Sequence, residues 1–405
     1  MSIKKMLNRW SLQVAAVAVA ASAASPTIHA AELAVPAQFP TIQAAINASA
    51  NGDSIIVSPG TYNELIRFYG KAITLRSLSG AGKTIIDGGS LGTTVKFANA
   101  ETAATVLDGF TIQHGRAAVG AGMYINSASP TVRNCVLVAN NALDRGAGAA
   151  VVNGKPSFTN CTFDTNTATE RGGAAYLMVN SDVVWTSCVF NGNRAMNRNG
   201  DSYGGAIAAE SESDQTFTGC GFTSNKAEPD AGYSGGARGG AVWLNGPVGV
   251  FANCTFTTNA ANPRTGDGYG GAVYTYTAAP SITGCVFTGN KLQQLNPQQN
   301  TGHGGAVYMT TGGTSDNNEF TNNSIAGFSY GRGGAIYNEG AGTYTNTPFT
   351  TNSISGSYFA YGGAVYNGGN GTYFNTLFTS CAIFGAFQAW GGAGYNGGTG
   401  SYSNT

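Results

Sequence analysis

"GGAVYTYTAAPSITGCVFTGN", residues 270–290, contains the two phrases from which most of the chain is built. The first is Gly-Gly-Ala, followed in most copies by an aliphatic and an aromatic residue. It recurs from Gly172, Gly204, Gly239, Gly270, Gly304, Gly333, Gly362 and Gly391, with looser copies from Gly120 and Gly146. The second is Cys-x-Phe-x-x-Asn. Its Cys positions are Cys135, Cys161, Cys188, Cys220, Cys254 and Cys285, after which Asn318, Thr347 and Thr376 take the slot. Its Phe positions are Phe163, Phe190, Phe222, Phe256, Phe287, Phe320, Phe349 and Phe378. Its Asn positions are Asn166, Asn193, Asn225, Asn259, Asn290, Asn323 and Asn352.

Each repeat is 26 to 35 residues long, and the variation is confined to one side. From the first Gly of a Gly-Gly-Ala to the next Phe position is always 16 to 18 residues, whereas 5 to 13 residues separate the Asn position from the next Gly-Gly-Ala. Short alternating β-branched and aromatic segments broken by Gly and Asn read as strands, and no helical apolar period competes with them. The arrangement that satisfies these facts is an all-β, single-stranded, right-handed parallel β-helix, in which coils stack about 4.8 Å apart and equivalent residues form ladders. Cys and Phe lie two apart, so both point inward. The Asn amides are expected to bond from coil to coil, and the Asn itself to take left-handed geometry at a turn. Six Cys in one column read as small buried residues, because in-register parallel side chains seldom offer the torsion a disulfide needs.

Residues 31–115 differ from the repeats that fill 116–405. "TIQAAINAS" reads as a short amphipathic helix with Thr41 as its N-cap, suited to plugging the open end of the first coils. Residues 1–30 read as a secretory signal: Lys4, Lys5 and Arg9, then "SLQVAAVAVAASAA", then a cleavage site after Ala30. That run is too short and Ala-rich for a transmembrane helix. With 20 Lys and Arg against 20 Asp and Glu, the chain has no net charge to draw it to nucleic acid or an anionic membrane. An exported protein, extracellular or on the outer membrane surface, is expected. The chain stops mid-coil at "NGGTGSYSNT", so a fragment that has lost an anchor or sorting domain is expected too.

The N-terminal segment resembles the first coils of secreted bacterial β-helix proteins of the pectate-lyase-like superfamily. The alternating GGA[IV] and FxxN phrases resemble the repeats of polymorphic outer membrane proteins. The resemblance implies surface display and adhesion rather than catalysis. It also implies a C-terminal membrane β-barrel, and no such segment is expected within these 405 residues.

Three lures toward an enzyme are weak. "TGHGGAVY" (301–308) contains the Gly-His-Gly of polygalacturonases, but His303 is one member of a variable column, Arg171, Tyr203, Arg238, Tyr269, His303, Arg332, Tyr361 and Trp390, and no Asp-Asp accompanies it. "GTYNE" (60–64) resembles one motif of pectin methylesterases without the others, so Tyr62 is expected to pack at the cap. Asp164, Asp182 and Asp201 are scattered, and "ESESD" (210–214) reads as a solvated loop rather than a Ca²⁺ site. No catalytic residue, metal or cofactor is expected.

The last three repeats suggest a binding face. In "SIAGFSYGR", "SISGSYFAY" and "AIFGAFQAW", Ile325, Ile354 and Ile383 are expected to face inward. Phe328, Tyr330, Tyr358, Phe359, Phe387 and Trp390 are then expected on one outer face, fit for sugar rings or a protein partner. Tyr274, Tyr308, Tyr337, Tyr366 and Tyr395 form a second column, read as a stiffening ladder. The expected function is a non-catalytic structural or adhesive β-helix binding a polysaccharide or a host or cell-surface protein. The alternative is a polysaccharide lyase or hydrolase.

Overall fold

The computed structural model describes residues 30–276, 280–296 and 300–404, so the signal segment expected at 1–30 lies outside the described residues except for Ala30. The strands pair in parallel from one coil to the next and build five sheets of 14, 12, 12, 10 and 7 strands. One coil shows the order. Val242–Leu244 is followed by Gly249–Ala252, Thr255–Thr257, Ala260–Ala261 and Gly268–Tyr269, and Val273–Thr275 then lies beside Val242–Leu244 to begin the next turn. The fold is the right-handed parallel β-helix.

Alternation creates the strands. In Thr255–Thr257 the central Phe256 is buried while the flanking threonines face outward. Phe163, Phe190, Phe222, Phe256, Phe287, Phe320, Phe349 and Phe378 are in register and stack with centroids 4.6 to 5.2 Å apart. Each buried ring contributes roughly 1.5–3 kcal/mol. A second interior stack, not anticipated from the sequence, runs through Phe158, Trp185, Phe217 and Phe251, and resumes at Tyr344 and Tyr373. The two stacks meet edge to face, as at Phe217 and Phe222 (5.6 Å, 72°), the geometry that aromatic quadrupoles favour.

The Cys column is buried and all its thiols are free. Its chemistry explains its substitutions. Cys188, Cys220, Cys254 and Cys285 each place Sγ 3.4 to 3.5 Å from a carbonyl of the preceding coil; Asn318 Nδ2 (2.7 Å) and Thr347 Oγ1 (3.2 Å) donate to the same kind of carbonyl further on. The slot requires a small donor, not a sulfur.

The Asn column differs from expectation in one respect. The left-handed residue at that corner is the one before the Asn, such as Thr165 (φ 52°), Thr258 (φ 53°) or Asn322 (φ 56°). The Asn side chain turns inward instead. Asn225 Nδ2 donates to Phe190 O (2.9 Å) and Asn259 Oδ1 (3.0 Å), and Asn225 Oδ1 accepts from both the N–H and Nδ2 of Asn193. The same bonds link Asn166, Asn193, Asn259, Asn290, Asn323 and Asn352.

In the coils that have another stacked on them, both glycines of the pair are required. At Gly270 the backbone is left-handed (φ 63°), and at Gly271 an added Cβ would lie 2.0 Å from the Gly305 carbonyl of the next coil.

At the N-terminal end the helix Ile42–Ala48 buries Ile42, Ala45 and Ile46, and the Thr41 hydroxyl accepts from Ala44 N (3.0 Å). The "GTYNE" motif serves this cap. Glu64 accepts from the N–H groups of Ile42 and Gln43 (both 2.9 Å), and Tyr62 donates to Ser58 O (2.9 Å).

Candidate functional site

The five-sheet cross-section leaves one edge rich in aromatic and charged side chains, where the seven-strand sheet turns through the glycine pair. In Tyr330–Arg332 and Phe359–Tyr361 the central Gly331 and Ala360 face inward, so the residues on either side point out. Five of the six residues expected on this face meet there. Tyr330 stacks on Phe359 (5.0 Å), Phe359 meets Tyr358 edge to face (4.8 Å), and Tyr358 stacks on Phe387 (4.8 Å, 10°). Trp390 stacks on Tyr361 (4.6 Å, 7°). Tyr358 is 52% and Phe387 70% exposed. Ser329, Tyr330, Tyr358 and Phe359 line a cleft of about 260 Å³.

Phe328 is the exception and corrects the expected set. It is only 1% exposed and packs with Leu292, Ile325, Ile354 and Ala360. The cause is the space its neighbours leave: a Cβ on Gly302 would lie 2.6 Å from the Phe328 ring and one on Gly268 2.9 Å from it. The three repeats, aligned residue by residue, put Phe328 in one column with Ser357 and Ala386, while Tyr358 and Phe387 share a column with Ser329.

The column before each glycine pair, variable in sequence, is ordered in space. Arg145, Arg171, Tyr203, Arg238, Tyr269, His303, Arg332, Tyr361 and Trp390 occupy consecutive coils in register. Guanidinium groups lie over neighbouring rings: Arg171 over Tyr203 (4.5 Å) and Trp243 (5.6 Å), Arg238 over Tyr203 (5.2 Å) and Tyr269 (5.5 Å), Arg332 over Tyr361 (5.6 Å). Beside it the second Tyr column stacks almost parallel, with Tyr274–Tyr308 at 4.9 Å and Tyr308–Tyr337 at 5.0 Å. These rings are nearly buried.

Arg171, Tyr203, Glu210, Arg238, Trp243, Asn245, Tyr274 and Tyr276 line a larger cleft of about 340 Å³. Glu210, first residue of the acidic run expected as a solvated loop, turns into this strip. It pairs with Arg171 and accepts from the Tyr176 hydroxyl (2.8 Å). Glu170 bridges Arg145 (2.7 Å) and Arg171 (3.0 Å), and Asp201 pairs with Arg238 (2.8 Å). The other scattered acids have local partners: Asp182 pairs with Lys155 (2.7 Å) and Asp164 accepts from Asn191 (2.7 Å). Among the described residues no three His, Cys, Asp or Glu converge on a geometry that could hold a metal ion. The only sequence signal for this cleft was the alternation of Arg with aromatics in the column before the glycine pair. It has no spacing motif, because its members are a whole coil apart.

A family model described as "Right handed beta helix region" matches residues 84–237 and 160–341. No curated protein matches the chain. Among solved structures, the chain is similar to a mannuronic acid specific polysaccharide family 6 lyase from human gut microbiota, with a TM-score of 0.41, 13% identity, and 85% of this chain and 87% of that one covered. It is also similar to the Agl-KA catalytic domain, with a TM-score of 0.30, 13% identity, and 88% of this chain and 64% of that one covered. At these values neither neighbour bears on the activity of this chain.

Proposed function

The chain belongs to the right-handed β-helix family, and we propose that within it this member is an exported, surface-displayed protein that holds a polysaccharide on its outer aromatic edge without cutting it. One observation carries the reading: Tyr330, Tyr358, Phe359, Phe387 and Trp390 form a connected, solvent-facing aromatic surface across successive coils. A rigid solenoid presents such rings at a fixed coil spacing, so an extended polymer lying along the axis meets them without the side chains having to be ordered on binding. The basic and apolar leader at 1–30 supports export, and the recurring GGA and FxxN phrases support a display role like that of polymorphic outer membrane proteins.

A second reading, a lyase or hydrolase of an acidic polysaccharide, is favoured by one feature. Asp144, Glu170 and Glu210 gather with Arg145 and Arg171 in adjacent coils. Burial and a hydrogen bond to Glu170 raise the Asp144 carboxyl above its ordinary range, and a carboxyl that keeps its proton is the general acid that glycoside chemistry uses. Against this, Glu170 is already held by two arginines, and Glu210 by Arg171 and Tyr176.

The test is retention of the purified chain on pectin, alginate and neutral glucan gels, with unsaturated products and reducing ends assayed in parallel. Retention that weakens roughly tenfold in Tyr358→Ala and Phe387→Ala, with no product, supports binding. Product release selects the enzyme.

A further inference from the structure

The cleft between Arg171 and Tyr276 lies several coils from the aromatic face of the last repeats, and its chemistry is different. Its walls are aromatic. Trp243 and Tyr274 are almost buried, while Tyr276 is 55% exposed and supplies an accessible ring face. Its floor is polar and held in place: the Arg171 guanidinium lies 4.5 Å from the Tyr203 ring centre and 5.6 Å from that of Trp243, and Arg238 lies 5.2 Å from Tyr203.

Charge decides what such a floor can take. Glu170 pairs with both Arg145 and Arg171, Glu210 with Arg171, and Asp201 with Arg238, so three guanidinium groups balance three carboxylates. No positive field remains to attract an anion. Hydrogen-bonding capacity does remain. Among the described residues, Arg238 engages partners only through Nη1, which donates to Tyr203 Oη (2.7 Å) and pairs with Asp201 (2.8 Å). That leaves its Nε and Nη2 donors. Glu210 accepts only at Oε1, leaving Oε2, and the Asn245 side-chain amide lines the same cleft. Donors and acceptors side by side, fixed by ion pairs and next to an exposed ring, complement a molecule with vicinal hydroxyls on its edge and C–H groups on its face. The volume of about 340 Å³ lies at the small end of ligand pockets.

We propose that this cleft is a second carbohydrate subsite, specific for a neutral pyranose unit, in which Tyr276 stacks on the ring while Arg238, Glu210 and Asn245 bond its hydroxyls. The site stands apart from the aromatic face of the last coils and extends the polysaccharide-binding reading toward an uncharged sugar. A uronate is disfavoured because Arg171 and Arg238 are already paired, so its carboxylate would have to compete with Glu210 and Asp201 for them.

The experiment uses the full chain with four probes: linear hexasaccharides of β-1,4-glucose, β-1,3-glucose and β-1,4-mannose, and a hexamer of galacturonate. Binding is read by isothermal calorimetry and by ligand-observed magnetization transfer. The expected result is binding of at least one neutral hexamer in preference to the uronate. That binding should weaken at least about fivefold in both Tyr276→Ala and Asn245→Ala, with thermal midpoints unchanged. The proposal is overturned if no neutral hexamer binds, if the uronate binds more tightly, or if Tyr276→Ala leaves neutral binding intact. Tyr358→Ala separates the two sites. Binding that survives Tyr276→Ala and fails in Tyr358→Ala rejects this cleft and keeps the aromatic face; the reverse pattern keeps the cleft and rejects the face.

Discussion

The imidazole of His303 stacks 4.4 Å from the ring of Tyr337 in the next coil, and neither of its buried nitrogens has a hydrogen-bond partner. The ring behaves as an aromatic member of its column rather than as an acid or base. Burial, reinforced by the neighbouring Arg332, pushes its pKa from 6.5 down to about 3. The folded state therefore refuses a proton that the unfolded chain accepts, and stability falls as pH drops from about 6.5 toward 3. His303→Phe keeps the stack and removes two unpartnered polar atoms. The variant is expected to be more stable than the parent at pH 7.5, and its advantage to grow by about 2 kcal/mol at pH 5, since each pH unit in this window is worth about 1.4 kcal/mol. Urea midpoints at the two pH values decide it. An advantage that does not widen would show that the nitrogens are satisfied in solution.

The Asn ladder gives a sharper mutational contrast than the Phe stack. In Asn225→Ala the Phe190 carbonyl and the Asn193 N–H both lose their side-chain partner inside the solenoid. Each buried unsatisfied group costs about 1–3 kcal/mol, so a loss of about 3–5 kcal/mol is expected with the small cavity included. Asn225→Asp places a carboxylate against the Phe190 carbonyl and the Asn259 oxygen. It should be worse at pH 7 and recover partly in acid, where a protonated carboxyl can donate. Chemical denaturation of the three proteins at pH 4.5 and 7.5 tests the order.

The Cys column is expected to be inert. Burial raises the Cys135 thiol to about 12, and Cys161, Cys188, Cys220, Cys254 and Cys285 share its enclosed position. Alkylation of the native protein at pH 8 should label Cys381 first, the half-buried seventh thiol. The other six should react only after unfolding. Mass spectrometry before and after denaturation reads this directly, and any pair resistant to labelling without reductant would reveal a disulfide. Cys220→Ser should be tolerated, because the slot needs a donor to the preceding carbonyl, whereas Cys220→Ala leaves that carbonyl bare.

The ladder residues and the helical cap could be read from sequence because each depends on its own phrase: Phe256 is inside because Thr flanks it, and Thr41 caps because the apolar period starts beside it. The stack of Phe158, Trp185, Phe217 and Phe251 was less visible, since its members change identity to Ile282 and Ser315 midway. The cleft at Arg171 and Arg238 left only the alternation of Arg with aromatics in its column, for a different reason. Its residues come from four consecutive coils, and only the rise between coils brings them together.

Phe328 and Tyr358 separate the interior of the solenoid from its binding face. Both are aromatic residues of the same nine-residue phrase, displaced by one column. Phe328 fills the space over Gly268 and Gly302, so Phe328→Ala opens a cavity among Leu292, Ile325 and Ile354 and should cost about 3–5 kcal/mol. It touches no exposed ring, so polysaccharide retention measured well below its melting midpoint should match the parent. Tyr358→Ala should do the opposite, leaving the stability within about 1 kcal/mol of the parent while retention falls. Thermal melting and gel retention on the same two samples measure both effects. Loss of retention in a folded Phe328→Ala protein would show that the glycan surface extends inward past Tyr358 and Phe359 as far as Phe328.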